Sequence, residues 1–241
     1  MQLVQCFDHL FALQGLPDDQ IVSHLALRGL ETVVNPKRRD LAAVYKFERN
    51  GKYYDLYQGE DAISQQQPLP VLLEMIANRI RVMVSYLSEE YSFIQGDSVK
   101  APGGDVIVLA GPSFTGQTTL AQVLVEQGAD PWSSSYVVID DHGHALPFPA
   151  SHQPRKGSGV AVGGVLLLNH LSDSSLQAEE ISAGQMALFL TQLAMDDRSN
   201  MQKGMARIGG LCESSRFRIR GNRGSSEEVA NLLKERVRWH S

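Results

Sequence analysis

Apolar and polar residues follow one another along the chain in blocks that predict alternating strands and helices. Residues 106–110 form a short, continuous apolar run that is typical of a buried strand. Residues 118–126 follow, with Leu120, Val123 and Leu124 at the spacing of one helix face. Further along are a strand pattern at 136–139, an apolar run at 160–168, and helical patterns at 182–194 and 226–238. This alternation favours an α/β core.

The N-terminal part of the chain has a different pattern. Two strand patterns, at 42–49 and 52–57, flank Asn50-Gly51, which is the strongest short signal for a β-hairpin. A long amphipathic helix is predicted next, over 69–89. Mixed short strands and helices of this kind are typical of an α+β region.

The change of pattern divides the chain in two. We predict an N-terminal α+β region over 1–90 and an α/β domain over 91–241. The chain has 241 residues, of which 43% are hydrophobic, and this is enough for one compact domain with a smaller appendage.

One strand near the C-terminus carries a row of arginines. Arg216, Arg218 and Arg220 alternate with Phe217 and Ile219, so the two sets lie on opposite faces of a strand. We predict an edge strand with a basic face toward solvent.

Charge and cysteine usage exclude several classes of protein. Lys and Arg number 22 against 27 Asp and Glu, a formal charge of −5, so nucleic acid is not expected as a main partner. Cys6 and Cys212 stand far apart and fit no metal or redox spacing. There is no apolar run long enough to cross a bilayer and no secretory pattern near Met1. We therefore expect a cytoplasmic protein without a membrane partner.

The stretch between the strand at 106–110 and the following helix fits a phosphate loop (P-loop) in all but one position. In the pattern G-x-x-x-x-G-K-[ST], backbone amides surround the phosphates, lysine reaches the β- and γ-phosphates, and the hydroxyl binds Mg²⁺. Here Gln117 replaces the lysine, and Thr118 is the expected metal ligand. The residues expected to bind a cofactor are Gly111, Ser113, Thr115, Gly116, Gln117, Thr118 and Thr119.

With its flanks, this stretch resembles the HPr kinase/phosphorylase-like family of P-loop proteins, whose core is similar to that of ATP-using carboxykinases. The resemblance covers about residues 53–233. It implies a P-loop HPr-kinase/carboxykinase-like core next to the small N-terminal α+β region. The segments that carry it are Ile94-Gln95-Gly96-Asp97-Ser98-Val99, Gly103-Gly104, the loop, Gly128, Trp132-Ser133-Ser134-Ser135 and Val137-Val138-Ile139.

The resemblance also implies that the chemical groups of the family are missing. The family histidine falls on Gln95, the lysine on Gln117, and the two acidic residues on Ser134 and Ser135. Because phosphoryl transfer depends on cancelling developing negative charge, such a site should be a very poor kinase. Phe114, where the family often has glycine, adds bulk beside the loop.

Other charged residues offer compensation. Asp140 and Asp141 are the candidate catalytic residues, because two adjacent carboxylates are able to hold Mg²⁺; the alternative is an ordinary solvated turn. Arg155 and Lys156 lie in a polar stretch, residues 151–159, expected to be a mobile loop from which they could reach phosphates.

The favoured hypothesis is a degenerate HPr-kinase-like protein that binds nucleotide or phosphate and acts as a regulatory pseudokinase with a protein partner. Two alternatives stay open. The first is an active ATP-dependent kinase of a protein serine or of a small hydroxyl metabolite. The second is a protein-interaction module with a vestigial loop. ATP and Mg²⁺ are the expected cofactors if the loop binds any, and a homo-oligomer also stays open.

Overall fold

A computed structural model of the protein describes residues 1–7, 9–16, 25, 30–33, 40–148, 159–169, 177–195, 201–222, 225–237 and 239. In this part of the chain there are two mixed β-sheets and five helices, so the mixed α/β class is confirmed. The finer assignment, an HPr-kinase/carboxykinase-like core, stays a prediction.

The chain divides into two compact units. The first holds the described residues of Met1–Tyr86, and the second holds those of Leu87–Phe148 and Arg155–Ser241. The predicted boundary, between residues 90 and 91, falls a few residues further along the chain.

The first unit contains a six-stranded sheet with the order β3-β1-β2-β4-β5-β6. The predicted hairpin at Asn50-Gly51 is confirmed, because β4 and β5 pair antiparallel with Asn50 opposite Tyr53. Gly51 has a φ of 66°, which a residue with a side chain rarely adopts. The elements are β1 (Gln2–Cys6), β2 (His9–Gln14), β3 (Glu31–Thr32), β4 (Leu41–Asn50), β5 (Tyr53–Gln58), β6 (Asp61–Gln67) and α1 (Leu69–Leu87).

The second unit is built on an eight-stranded sheet with the order β11-β10-β7-β8-β12-β14-β13, in which β9 pairs with β7 beside β10. Its strands are β7 (Ser92–Lys100), β8 (Val106–Ala110), β9 (Asp130–Ser133), β10 (Tyr136–Ile139), β11 (Ala145–Leu146), β12 (Val162–Asn169), β13 (Ala178–Glu180) and β14 (Phe217–Asn222). Its helices are α2 (Gln117–Glu126), α3 (Ala183–Leu193), α4 (Met201–Ser214) and α5 (Ser226–Arg236).

Strand β8 lies at the centre of this sheet and is buried along its whole length. It pairs parallel with β12 and antiparallel with β7. Because side chains alternate between the faces of a strand, Ile107 and Leu109 join the cluster that contains α2 and α5, whereas Val106 and Val108 join the one that contains α3 and α4. The strand therefore carries a core on both faces, as its continuous apolar run predicts.

The predicted helix after the loop is confirmed, and its inward face is the expected one. Helix α2 begins at Gln117, and Leu120 and Leu124 are buried. The predicted capping box at the last helix is also confirmed, since Ser225 and Glu228 cap each other.

The prediction of a basic edge strand is wrong. Strand β14 lies inside the sheet, between β12 and β13. Its apolar face is buried as expected, but the arginines have partners: Arg218 donates to the carbonyls of Cys212 and Ser215, and the Arg220 guanidinium lies over the Phe189 ring. The short strand β13, outside it, was not visible in the sequence pattern because its three residues are all exposed.

None of the described helices combines the length and the apolar character that a membrane crossing requires. Of the predicted loop at 151–159, only Gly159 belongs to the described residues, so the expected roles of Arg155 and Lys156 lie outside them.

The close packing of β12 on β14 gives a first prediction. A Cβ atom on Gly164 would come within 2.1 Å of the buried Phe217 ring. We expect Gly164→Ala to lower the free energy of unfolding by about 1–3 kcal/mol, as overpacked cores do. Gly209→Ala, on helix α4, meets nothing within 4 Å and is the matched control. Urea unfolding measures both, and equal stability of the two variants would contradict the packing described for β12.

The buried thiol of Cys212 gives a second prediction. Burial raises the pKa of this thiol from its ordinary value of 9.0 to about 12. Below pH 9.0 the thiol is protonated in both states, and the free energy of unfolding keeps its full value. As the pH rises from 9.0 toward about 12, the free energy of unfolding falls, because the unfolded chain releases the proton first. We expect the unfolding free energy of the wild type to fall more steeply over this range than that of Cys212→Ala. Parallel slopes in urea unfolding at several pH values would show that the thiol does not contribute.

Candidate functional site

The predicted phosphate loop connects the end of β8 to the start of α2 in the second unit. The structure explains why glycine occupies both conserved positions of the P-loop pattern, Gly111 and Gly116. A Cβ atom on Gly111 would lie 2.7 Å from the Leu168 carbonyl oxygen and from Thr115 Oγ1. Gly116 has a φ of 92° and precedes α2 as its N-cap residue, where no side chain caps the helix. The first turn of α2 therefore presents its amides without a side-chain acceptor.

Gln117, in the place of the lysine, is turned back onto the loop. Its side-chain Nε2 donates to the carbonyl of Gly111 at 2.6 Å and to that of Pro112 at 3.0 Å. An amide nitrogen has two hydrogens, so both donors are used within the protein. Gln117 is only 8% exposed, and it therefore holds the two ends of the loop together without bringing a charge to it.

A carboxylate that sequence reasoning missed lies beside the loop. Asp97, on β7, is opposite Leu109 of β8. Its Oδ2 accepts a hydrogen bond from Thr118 Oγ1 and its Oδ1 accepts one from the Ser135 amide, both at 2.7 Å. The signal in the sequence was a single acidic residue inside an otherwise buried strand, where a charge is costly unless it is paired or has a function.

Of the three other positions to which the resemblance assigns chemical groups, Gln95 and Ser135 are linked to the loop and Ser134 is not. Gln95 Nε2 donates to Ser113 Oγ at 2.7 Å, so the residue at the histidine position contacts the loop directly. Ser135 has a φ of 71°, and its carbonyl accepts a hydrogen bond from the Gly96 amide. Ser134 instead donates its amide to the Phe148 carbonyl. Gln95 and Gln117 thus form hydrogen bonds with the loop, and Ser135 is linked to it through Asp97. All three use neutral groups.

The two proposed catalytic aspartates lie elsewhere. Strand β10 begins opposite Gln95 and ends opposite Ser92, so it runs away from the loop. At about 3.3 Å per residue, Asp140 is about 13 Å along the strand from Tyr136. The structure does not bring the pair to the loop, and their catalytic role stays a prediction.

Asp140 and Asp141 also have partners of their own. Asp140 accepts hydrogen bonds from the amides of His142 and His144 in the turn between β10 and β11, both at 2.9 Å. Asp141 accepts a hydrogen bond from Nε of Arg207 at 2.7 Å. This is the arrangement of a structural turn, the alternative that the sequence left open.

Phe114 does not fill the loop as its size suggested. Its side chain is 94% exposed, and its φ of 69° is unusual for a bulky residue. The ring therefore projects into solvent at the tip of the loop and does not cover the first turn of α2.

The hydrogen bonds of Gln117 give a third prediction. Gln117→Leu removes both donors and leaves the Gly111 carbonyl without this partner, so we expect the free energy of unfolding to fall by about 1–3 kcal/mol. Gln122→Leu, at an exposed position of the same helix, is the matched control and should change stability by less than about 0.5 kcal/mol. Urea unfolding compares the two, and equal effects would show that the contacts of Gln117 are not stabilising.

Comparison with protein-family models and with curated proteins gives no match for this chain. The resemblance to the HPr kinase/phosphorylase-like family stays a prediction from the motifs of the sequence.

Proposed function

We propose that the protein is a degenerate, HPr-kinase-like P-loop protein that binds a nucleotide or a phosphate group and regulates a protein partner without efficient phosphoryl transfer. The observation that supports this proposal is the structure of the loop between β8 and α2. The glycine frame and the open helix start are kept, while the lysine position holds a neutral amide whose donors are used by the Gly111 and Pro112 carbonyls.

Anion binding is supported by the start of α2. The first amides of a helix carry a partial positive charge, and they bind phosphate groups when no side chain caps them. Helix α2 has ten residues and begins without a side-chain cap. Ser113 and Thr119 are exposed around this helix start and are able to donate hydroxyl hydrogen bonds.

Weak catalysis follows from the missing charges. Within the described residues, the side chains that form hydrogen bonds with the loop and with Thr118 are those of Gln95, Gln117 and Asp97, and none of them is cationic. A single lost electrostatic contact to a transition state costs about 2.7–4 kcal/mol, so the loss of both the lysine and the acidic pair removes most of the rate. ATP with Mg²⁺ fits as a bound ligand better than as a substrate.

The competing proposal of an active kinase is weakened by the position of its catalytic residues. Asp140 and Asp141 are engaged in the β10–β11 turn and with Arg207. The proposal of an interaction module with a vestigial loop is favoured by one observation, the exposed ring of Phe114 in a strained backbone conformation. Both cysteines are buried, and Cys212 is a free thiol, which supports a reducing, cytoplasmic environment.

Restoring the lysine gives a fourth prediction. We expect Gln117→Lys to bind pyrophosphate and ATP, in the presence of Mg²⁺, about 10-fold or more tighter than the wild type, because hydrogen bonds to charged groups contribute about 1.5–3 kcal/mol. Isothermal titration calorimetry measures the change. Gln122→Lys adds the same charge at an exposed position of the same helix and should leave the affinity nearly unchanged.

The calorimetric result separates the three proposals. Weak binding by the wild type, strengthened only in Gln117→Lys, supports a regulatory ligand site. Absence of binding in all three proteins would favour the interaction module. Turnover of ATP by the wild type that is lost in Asp141→Asn would contradict the pseudokinase.

A further inference from the structure

Asp97 is a buried carboxylate without a balancing charge in the described structure. It is 3% exposed. Across the parts of the chain that the structure describes, no Lys, Arg or His side chain forms an ion pair with it. Buried charges in proteins are either paired with an opposite charge or bound to a metal ion. A partner for Asp97 is therefore expected from outside these residues.

The hydrogen bonds of Asp97 do not supply that charge. Its two contacts are the hydroxyl of Thr118 and the backbone amide of Ser135, and both are neutral donors. Thr118 lies in the first turn of α2, whose dipole offers only about half of an elementary charge. The carboxylate is held firmly in place, but its negative charge is cancelled only in part.

The other acidic residues of the second unit that contact the rest of the fold differ in this respect. Asp105 pairs with Arg216, and Asp141 pairs with Arg207. Asp140, which is also buried, has the ring of His144 at 3.8 Å from its Oδ2. Asp97 is thus distinguished by its contact with the loop and by the lack of a basic neighbour among the described residues.

We infer that Asp97 and Thr118 form a divalent-cation site and that the loop takes its phosphate ligand as a metal complex, such as Mg²⁺-diphosphate. This inference rests on the proposed function and names the form of the ligand. Carboxylate and hydroxyl oxygens are hard donors that suit Mg²⁺, which proteins commonly bind through one or two carboxylates together with phosphate oxygens. A loop hydroxyl and a nearby acid have the same role in other P-loop proteins.

The acid of this site is not at a position that the family resemblance provides. The resemblance places an acidic pair on Ser134 and Ser135, where both carboxylates are lost. Asp97 stands on a different strand, and it accepts the amide hydrogen of Ser135 itself. Asp97 therefore places a negative charge on β7, the strand next to β10, within hydrogen-bond distance of Thr118.

The same charge makes the metal necessary for phosphate binding. Without the lysine, a free pyrophosphate or ATP anion would meet the negative charge of Asp97 beside the loop, and the two would repel. A bound divalent cation between them offsets part of both charges and replaces the repulsion by an attraction to each. Removing the carboxylate should consequently weaken the binding of the metal complex and at the same time relieve the repulsion of the free anion.

The test measures bound Mn²⁺ by electron paramagnetic resonance on the full chain, with and without pyrophosphate. We expect wild-type protein with pyrophosphate to bind Mn²⁺, and Asp97→Asn to weaken this binding at least 10-fold. Binding of pyrophosphate without metal should be equal or stronger in Asp97→Asn. Asp105→Asn changes a half-buried carboxylate of the same unit that pairs with Arg216, and it is the matched control that should behave as the wild type.

A second variant keeps the test decisive if Asp97→Asn does not fold. Thr118→Val removes the hydroxyl at an exposed position with little change of shape, and it should also weaken Mn²⁺ binding. Far-ultraviolet circular dichroism establishes that each variant is folded before the titration.

The outcomes distinguish this inference from the proposed function. Pyrophosphate binding that is independent of metal and unchanged in Asp97→Asn would overturn the cation site and leave the phosphate site standing. Mn²⁺ binding that depends on Asp97, without any binding of pyrophosphate, would keep the cation site and contradict the proposed function. Absence of Mn²⁺ binding under both conditions, or equal binding in Asp97→Asn, would overturn the inference.

Discussion

The hydrogen bonds of the Asp97 carboxylate hold together three segments that are far apart in the sequence. Asp97 belongs to β7, Thr118 to the start of α2, and Ser135 to the approach to β10. Since the carboxylate is buried, its two contacts also fix where α2 begins relative to the sheet. The geometry of the loop depends on this link, and under the proposed function the charge that the link leaves partly uncancelled determines which ligand the loop accepts.

The core of the second unit makes such a link possible. Strand β8 is covered on both faces, so the loop that follows it starts from a rigid element rather than from a mobile one. Gln117 adds a second restraint through the carbonyls of Gly111 and Pro112. In a P-loop kinase a lysine at this position would act on the ligand, whereas here the side chain acts on the protein. Under the proposed function, the side chain at this position therefore stabilises the loop and takes no part in catalysis.

Much of the fold could be predicted because the signals were local. The apolar run of β8, the Asn50-Gly51 turn and the capping box at Ser225 each depend on a few neighbouring residues. Helix α4 was missed because Gly204, Gly209 and Gly210 lower its intrinsic helix propensity, and its stability comes from the buried contacts of residues such as Ile208. The position of β14 depends on pairing with distant strands, which no local pattern contains. Asp97 was missed for the same reason, since its partners are 21 and 38 residues away in the chain.

Under the proposed function, the amides at the start of α2 bind a phosphate group that is complexed to a metal ion. Hydrogen–deuterium exchange, followed on peptides that cover the loop and the first turn of α2, reports on these amides themselves. We expect slower exchange of these amides when Mg²⁺ and pyrophosphate are added together, and little change with either one alone. Exchange that stays unchanged at saturating concentrations of both would rule out phosphate binding at this helix start, and equal protection by pyrophosphate alone would rule out the role of the metal.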